Sequence, residues 1–298
     1  MYRGFNLELT NLKEKYDYYK KNESKLNAKQ QENYAHFKEF IQCAKDNYIE
    51  KKQICLKPLK KILIGERDVI DGSALKNKCF PVNLSYDIFL SHSHRNSEFA
   101  LLVAGILKEC LKLDVFIDWA LWEYCDELLM EIDENYCYNE DKETFSYTSR
   151  NYSTSHVHLM LNTALMEMMD CCECLFFLNT PDSINLKMGI ENRTLSPWIF
   201  SEMSMSRLIK EKDPIRTANE SALFEAYSVT ASTKPRLEIS YATDISHLFQ
   251  MNDDVFCQWI KNCYDIGYES KSALDYLYAN SRGINERIWN DDSIISNC

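Results

Sequence analysis

Apolar positions are most sharply patterned around Tyr86-Asp-Ile-Phe-Leu-Ser91. This short β-branched and aromatic run stops at the polar residues His92, Ser93 and His94. Phe99, Leu102, Val103, Ile106, Leu107 and Leu111 then recur at three- and four-residue spacing, with Ser97 placed to cap the helix they predict. A second apolar run, Val115-Phe-Ile, ends at Asp118. Strand, helix and strand of these lengths form a βαβ unit, whose strands lie parallel because the crossover helix returns the chain to the same end. A third strand, Cys174-Leu-Phe-Phe-Leu-Asn179, is apolar throughout, as a parallel strand buried on both faces must be. A weaker strand pattern lies at Leu223 to Thr230 and a clearer one at Arg236 to Tyr241. The expectation is an α/β fold with an open parallel sheet of five strands.

The flanks read as helical. From residue 5 to about 61, Leu7, Leu9, Leu12, Tyr16 and Tyr19, and then Phe37, Phe40, Ile41, Ala44 and Tyr48, mark two helices with a break near Asn22 to Lys29. These predict an antiparallel hairpin. The Lys13, Glu14, Lys15 run is a solvated face or, on a sharper reading, part of a partner-binding helix. Gly65, Gly72 and Pro81 mark a linker. The expected division is an N-terminal helical region at 1–64, a linker at 65–84, a sheet domain at 85–262 and a C-terminal helical extension at 263–298. Within the sheet domain, residues 119–155 form an expanded loop after the second strand, where long loops are commonly functional. Its acidic group of Asp126, Glu127, Glu131, Asp133 and Glu134 fits a solvated helix better than a divalent-cation cage.

Composition narrows the function classes. With 298 residues, 45% of them apolar, the chain can build a real core. A net charge of -11 argues against nucleic-acid binding through a broad basic face. Neither a secretory leader nor a run long enough for a membrane span is visible, so a cytoplasmic protein is expected. The twelve cysteines are then thiols, and Cys171 and Cys174 have no second pair with which to hold zinc. His156 and His158, two residues apart on a helix, are poorly placed for shared ligation. Among 7 glycines, none forms a GxGxxG or GxxxxGK[ST] phosphate loop.

An open parallel sheet binds ligands beyond the carboxyl ends of its strands. Ser91, His92, Ser93, His94 and Arg95 follow the first strand there, and Asp118 and Trp119 follow the second. After the third comes a helix capped by Ser196, with Pro197 in its first turn and Trp198 and Glu202 one turn apart. A single carboxylate beside aromatic groups suits cleavage of an N-glycosidic bond whose leaving group is already cationic, since no general acid is then needed. Trp198 or Trp119 could stack on a base. The plainer reading makes Glu202 a solvated helix residue, Trp198 a core anchor, and His92 and His94 a solvated loop pair.

Tyr86-Asp-Ile-Phe-Leu-Ser-His-Ser-His94, Val115-Phe-Ile-Asp118, Cys174-Leu-Phe-Phe-Leu-Asn179 and Ser196-Pro-Trp-Ile-Phe-Ser-Glu202, in this order, resemble a prokaryotic TIR (Toll/interleukin-1 receptor) domain over about 85–262. The resemblance implies a flavodoxin-like sheet and NAD cleavage. Glu202, four residues after Trp198, matches the family's catalytic glutamate. Ser91, His92, Ser93, His94, Asp118, Trp119 and Trp198 then line the substrate pocket. NAD is substrate, and no resident cofactor or metal is implied. Some bacterial members of the family serve in anti-phage defence of the Thoeris kind, making an ADP-ribose-derived signal for a separate effector. Self-association through TIR surfaces is implied too, with neither nucleic acid nor membrane as partner. Two rival readings remain: a non-enzymatic interaction module, and an N-glycosidase acting on other nucleosides with the same glutamate.

Overall fold

The computed structural model describes residues 1–55, 71–82, 85–122, 125–140, 143–184, 193–210, 212 and 240–281. The chain opens with a strand, β1 (Arg3–Glu8), then α1 (Thr10–Lys21), the long α2 (Ala28–Cys55) and the short α3 (Gly72–Cys79). The predicted βαβ unit follows as β2 (Ile88–Ser91), α4 (Ser97–Leu111) and β3 (Val115–Phe116). Next come α5 (Asp118–Leu121), α6 (Cys125–Tyr136), α7 (Tyr147–Cys171) and β4 (Cys174–Leu178). The remaining elements are β5 (Arg193–Thr194), α8 (Pro197–Leu208), β6 (Tyr241–Ala242), β7 (Phe249–Asn252), α9 (Asp253–Ile266) and α10 (Lys271–Ser281).

Five strands form one parallel sheet in the order β3-β2-β4-β1-β7, a flavodoxin-like α/β architecture. All five residues of β4 are buried. Successive strand side chains point to opposite faces, so helices must cover both faces. Phe5, Phe89, Phe116, Phe176 and Phe177 are at most 1% exposed. Each contributes roughly 1.5–3 kcal/mol by leaving water.

Two expectations need correction here. The N-terminal region is not a helical unit beside the sheet: β1 lies between β4 and β7, with Arg3 to Leu7 in register with Cys174 to Leu178. The physical reason is visible in Gly4-Phe5-Asn6-Leu7-Glu8-Leu9, where apolar residues alternate with period two, whereas the helical period begins only at Leu9. The fifth strand is β7, which lies beyond both strand patterns expected after the third strand. The pattern at Leu223 to Thr230, and most of that at Arg236 to Tyr241, lies outside the described residues. Tyr241 and Ala242 pair antiparallel with Arg193 and Thr194 in a separate two-stranded sheet.

The helical hairpin is present, with Tyr16 against Phe37 and Tyr19 against Tyr34. It packs on the sheet domain through α2 and α4. Gly105 of α4 permits the close approach, because a Cβ there would collide with the Phe40 carbonyl. The expected linker contains α3, capped by Asp71, and it is followed by the buried Phe80, whose ring meets Trp122. The expanded loop is largely the helix pair α6 and α7. Asp133 is buried and accepts hydrogen bonds from Arg150 Nε at 2.7 Å and Ser153 Oγ at 2.5 Å, which locks the two helices together. The other acidic residues of α6 are exposed or half-buried. From the C-terminal region, α10 holds the buried Arg3 guanidinium through the Tyr278 carbonyl at 3.2 Å and Ser281 Oγ at 2.6 Å. No helix among the described residues is long and apolar enough to cross a membrane.

Candidate functional site at the carboxyl ends of the strands

From β2 the chain crosses to β3 on one side, and from β3 it returns to β4 on the other. The carboxyl ends of β2 and β4 are therefore the switch point where an open α/β sheet leaves a crevice. Ser91 is the last residue of β2 and is buried. Its Oγ donates a 2.5 Å hydrogen bond to Glu202 Oε2.

Local sequence places Glu202. Ser196 Oγ accepts from the Ile199 amide, and Pro197 sets the backbone of the first turn. Ile199, Glu202, Met203 and Ser206 then form the buried face of α8. Glu202 is only 5% exposed, which rules out a solvated helix residue. Burial, followed by the charge of Asp118, pushes its carboxyl up to about 8, and the Ser91 hydrogen bond opposes them. At neutral pH the carboxyl is largely protonated.

His92 is also buried. Its Nδ1 lies 3.2 Å from the Leu90 carbonyl oxygen, which can only accept, so Nδ1 carries the proton. Burial lowers the His92 pKa, with Asp118 and the Leu90 carbonyl acting against it and His94 acting with it. The ring is neutral, and Nε2 is buried without a partner among the described residues. Asp118, which begins α5, thus acts electrostatically on both Glu202 and His92. The structure therefore gathers Ser91, His92, Asp118 and Glu202.

The other expected residues are placed differently. Ser93 is buried, and its carbonyl accepts from the Asn96 amide at 2.8 Å. His94 is exposed, so only half of the supposed solvated pair is solvated. Trp119 is half-buried, and its indole N–H has no partner among the described residues. Trp198 is half-buried with its ring edge-on to His158 at 5.7 Å. His156 instead meets Tyr152.

Sequence reasoning missed a polar group at the end of β4. Asn96 is buried and donates to Thr180 Oγ1 at 2.9 Å and Asp182 Oδ2 at 3.3 Å. Ser183 donates to the Leu178 carbonyl at 2.9 Å. The available signal was position, since Thr180 to Ser183 directly follow an apolar parallel strand. The ten cysteines whose side chains are described are thiols, and the described residues include no cluster of three or more His, Cys, Asp or Glu able to hold a metal. Comparisons of the chain with protein-family models, with curated proteins and with solved structures gave no match.

Proposed function

We propose that this chain is a TIR-like NAD-cleaving enzyme that breaks the bond between nicotinamide and ribose. The observation that carries the proposal is the buried Glu202, hydrogen-bonded to Ser91 at the switch point of the sheet. The order of motifs resembling a TIR domain gives the same glutamate the same role.

The chemistry follows from the leaving group. Nicotinamide in NAD is a cationic pyridinium. When the C–N bond breaks, its electron pair goes to the ring nitrogen and neutral nicotinamide departs without a general acid. The ribose C1′ becomes oxocarbenium-like, and an ionised Glu202 beside it stabilises that charge. The positive substrate favours ionisation of Glu202 and so offsets burial and the Asp118 charge. Water attack at C1′ gives ADP-ribose and a proton. Attack by a nitrogen of the adenine gives a cyclic product instead, and exclusion of water selects between them. By the same resemblance, the product is a signal for a separate effector in bacterial anti-phage defence.

Incubation of the purified chain with NAD, beside Glu202→Gln, tests the proposal. Nicotinamide release by the wild type, at least about 100-fold slower in the variant, is expected. Equal release by both would refute the role of Glu202. A second reading, a TIR-like interaction module, is favoured by one observation. Tyr136, Tyr138, Phe145, Tyr147 and Tyr152 are all exposed on and between α6 and α7. Exposed aromatic groups of this kind mark association surfaces. Sedimentation showing concentration-dependent assembly, with no NAD consumed by the assembled form, would favour that reading.

A further inference from the structure

We propose that His92 and Trp119 form a carboxamide-reading pair beside Glu202, with His92 Nε2 accepting from the amide N–H and Trp119 Nε1 donating to the amide oxygen. The identity of the ligand rests on the NAD reading above. The pair itself rests on two complementary buried atoms. His92 Nε2 is an acceptor because Nδ1 is committed to the Leu90 carbonyl at 3.2 Å. It is buried and has no partner among the described residues. Trp119 Nε1 can only donate, and it too is buried and without a partner there.

Both residues follow the carboxyl ends of neighbouring parallel strands. His92 follows the last residue of β2, Trp119 is three residues past the end of β3, and the two strands are hydrogen-bonded neighbours. Asp118, next to Trp119 in sequence, is close enough for its charge to act on both His92 and Glu202. Native proteins rarely leave buried polar atoms unsatisfied, so each such atom calls for an explanation, and a bound polar group is one. One orphan acceptor and one orphan donor at adjacent strand ends match a primary carboxamide, which presents N–H and C=O side by side. They do not match a carboxylate, which has no N–H to give a neutral imidazole.

The test uses the full chain in two arms. Nitrogen-15 spectra of the wild type at pH 7.5 report the His92 tautomer directly. The expected result is a protonated Nδ1 and a bare Nε2, with the Nε2 resonance moving on saturation with nicotinamide but not with 3-acetylpyridine, which keeps the carbonyl and lacks the N–H. A protonated Nε2, or a resonance unmoved by nicotinamide, overturns the proposal. In the second arm, NAD is compared with 3-acetylpyridine adenine dinucleotide. The wild type should favour NAD by at least about tenfold in kcat/KM. His92→Phe should erase that preference, while Trp119→Phe should lower kcat/KM for both substrates and keep it. Equal use of the two dinucleotides by the wild type overturns the proposal. A nicotinamide-dependent shift without any NAD cleavage supports the pair and rejects the enzymatic reading, so the two failures are distinct.

Discussion

Ser91 Oγ and Glu202 Oε2 lie 2.5 Å apart although 111 positions separate the two residues in sequence. The bond joins the end of the second strand to the first turns of α8 and buries a carboxyl group that has no cation hydrogen-bonded to it among the described residues. Burial and Asp118 raise its pKa to about 8, far above the ordinary glutamate range.

That shift has a cost in stability. A carboxyl whose folded pKa exceeds its unfolded value favours the fold when protonated. The favourable term is complete below about pH 4.5 and is lost as pH rises through about 8. Glu202→Gln keeps a neutral group that can accept from Ser91 and removes the titration. The variant should match the wild type near pH 4.5 and exceed it by roughly 1–3 kcal/mol at pH 8.5. Denaturant titrations at both pH values would show this, and a variant that is less stable at pH 8.5 would contradict it.

Asp118 should set the pH range of activity. Its negative charge raises the Glu202 pKa, so its removal lets Glu202 ionise at lower pH. In Asp118→Asn the ascending limb of kcat/KM against pH should move down by roughly half to one pH unit. A limb that stays in place would separate Asp118 from the titration of Glu202.

The N-terminal strand makes the first residues indispensable to the sheet. A fragment beginning at residue 71 lacks β1 and leaves the edges of β4 and β7 unpaired. It should be aggregated or lack a cooperative thermal transition, whereas the full chain melts cooperatively. A soluble, cooperatively folding fragment would show that the sheet tolerates the loss.

Gly105→Ala should reverse the usual helix preference. Alanine in a helix is ordinarily better than glycine by about 1 kcal/mol. Here the added Cβ meets the Phe40 backbone carbonyl, which cannot move aside as a flexible side chain could. A loss of about 2–4 kcal/mol, seen as a lower urea midpoint with unchanged slope, is expected. A gain in stability would mean that α2 and α4 can separate freely.

By itself, the sequence determined the α/β class and the strands β2, β3 and β4. It also set the α4 helix and the Ser196-Pro197 start of α8. Each of these is written in local periodicity or in a cap, and neither needs knowledge of distant residues. It also placed Ser91, His92, Asp118 and Glu202 after the strands and in the helix that bring them together. Tertiary structure alone decided the rest. β1 is only six residues long, and its period of two runs directly into a helical pattern, so its identity as a strand depends on β4 and β7 pairing with it. Residues 119–155, which hold α6 and the first part of α7, read as an expanded loop because the stretch is polar and tyrosine-rich. What fixes the α6–α7 pair is the buried Asp133 contact with Arg150 and Ser153. The protonation of Glu202 and the tautomer of His92 belong to the same class. Burial acts on both, with Ser91 and Asp118 brought close to Glu202 by folding and the Leu90 carbonyl, only two residues away, held against the His92 ring.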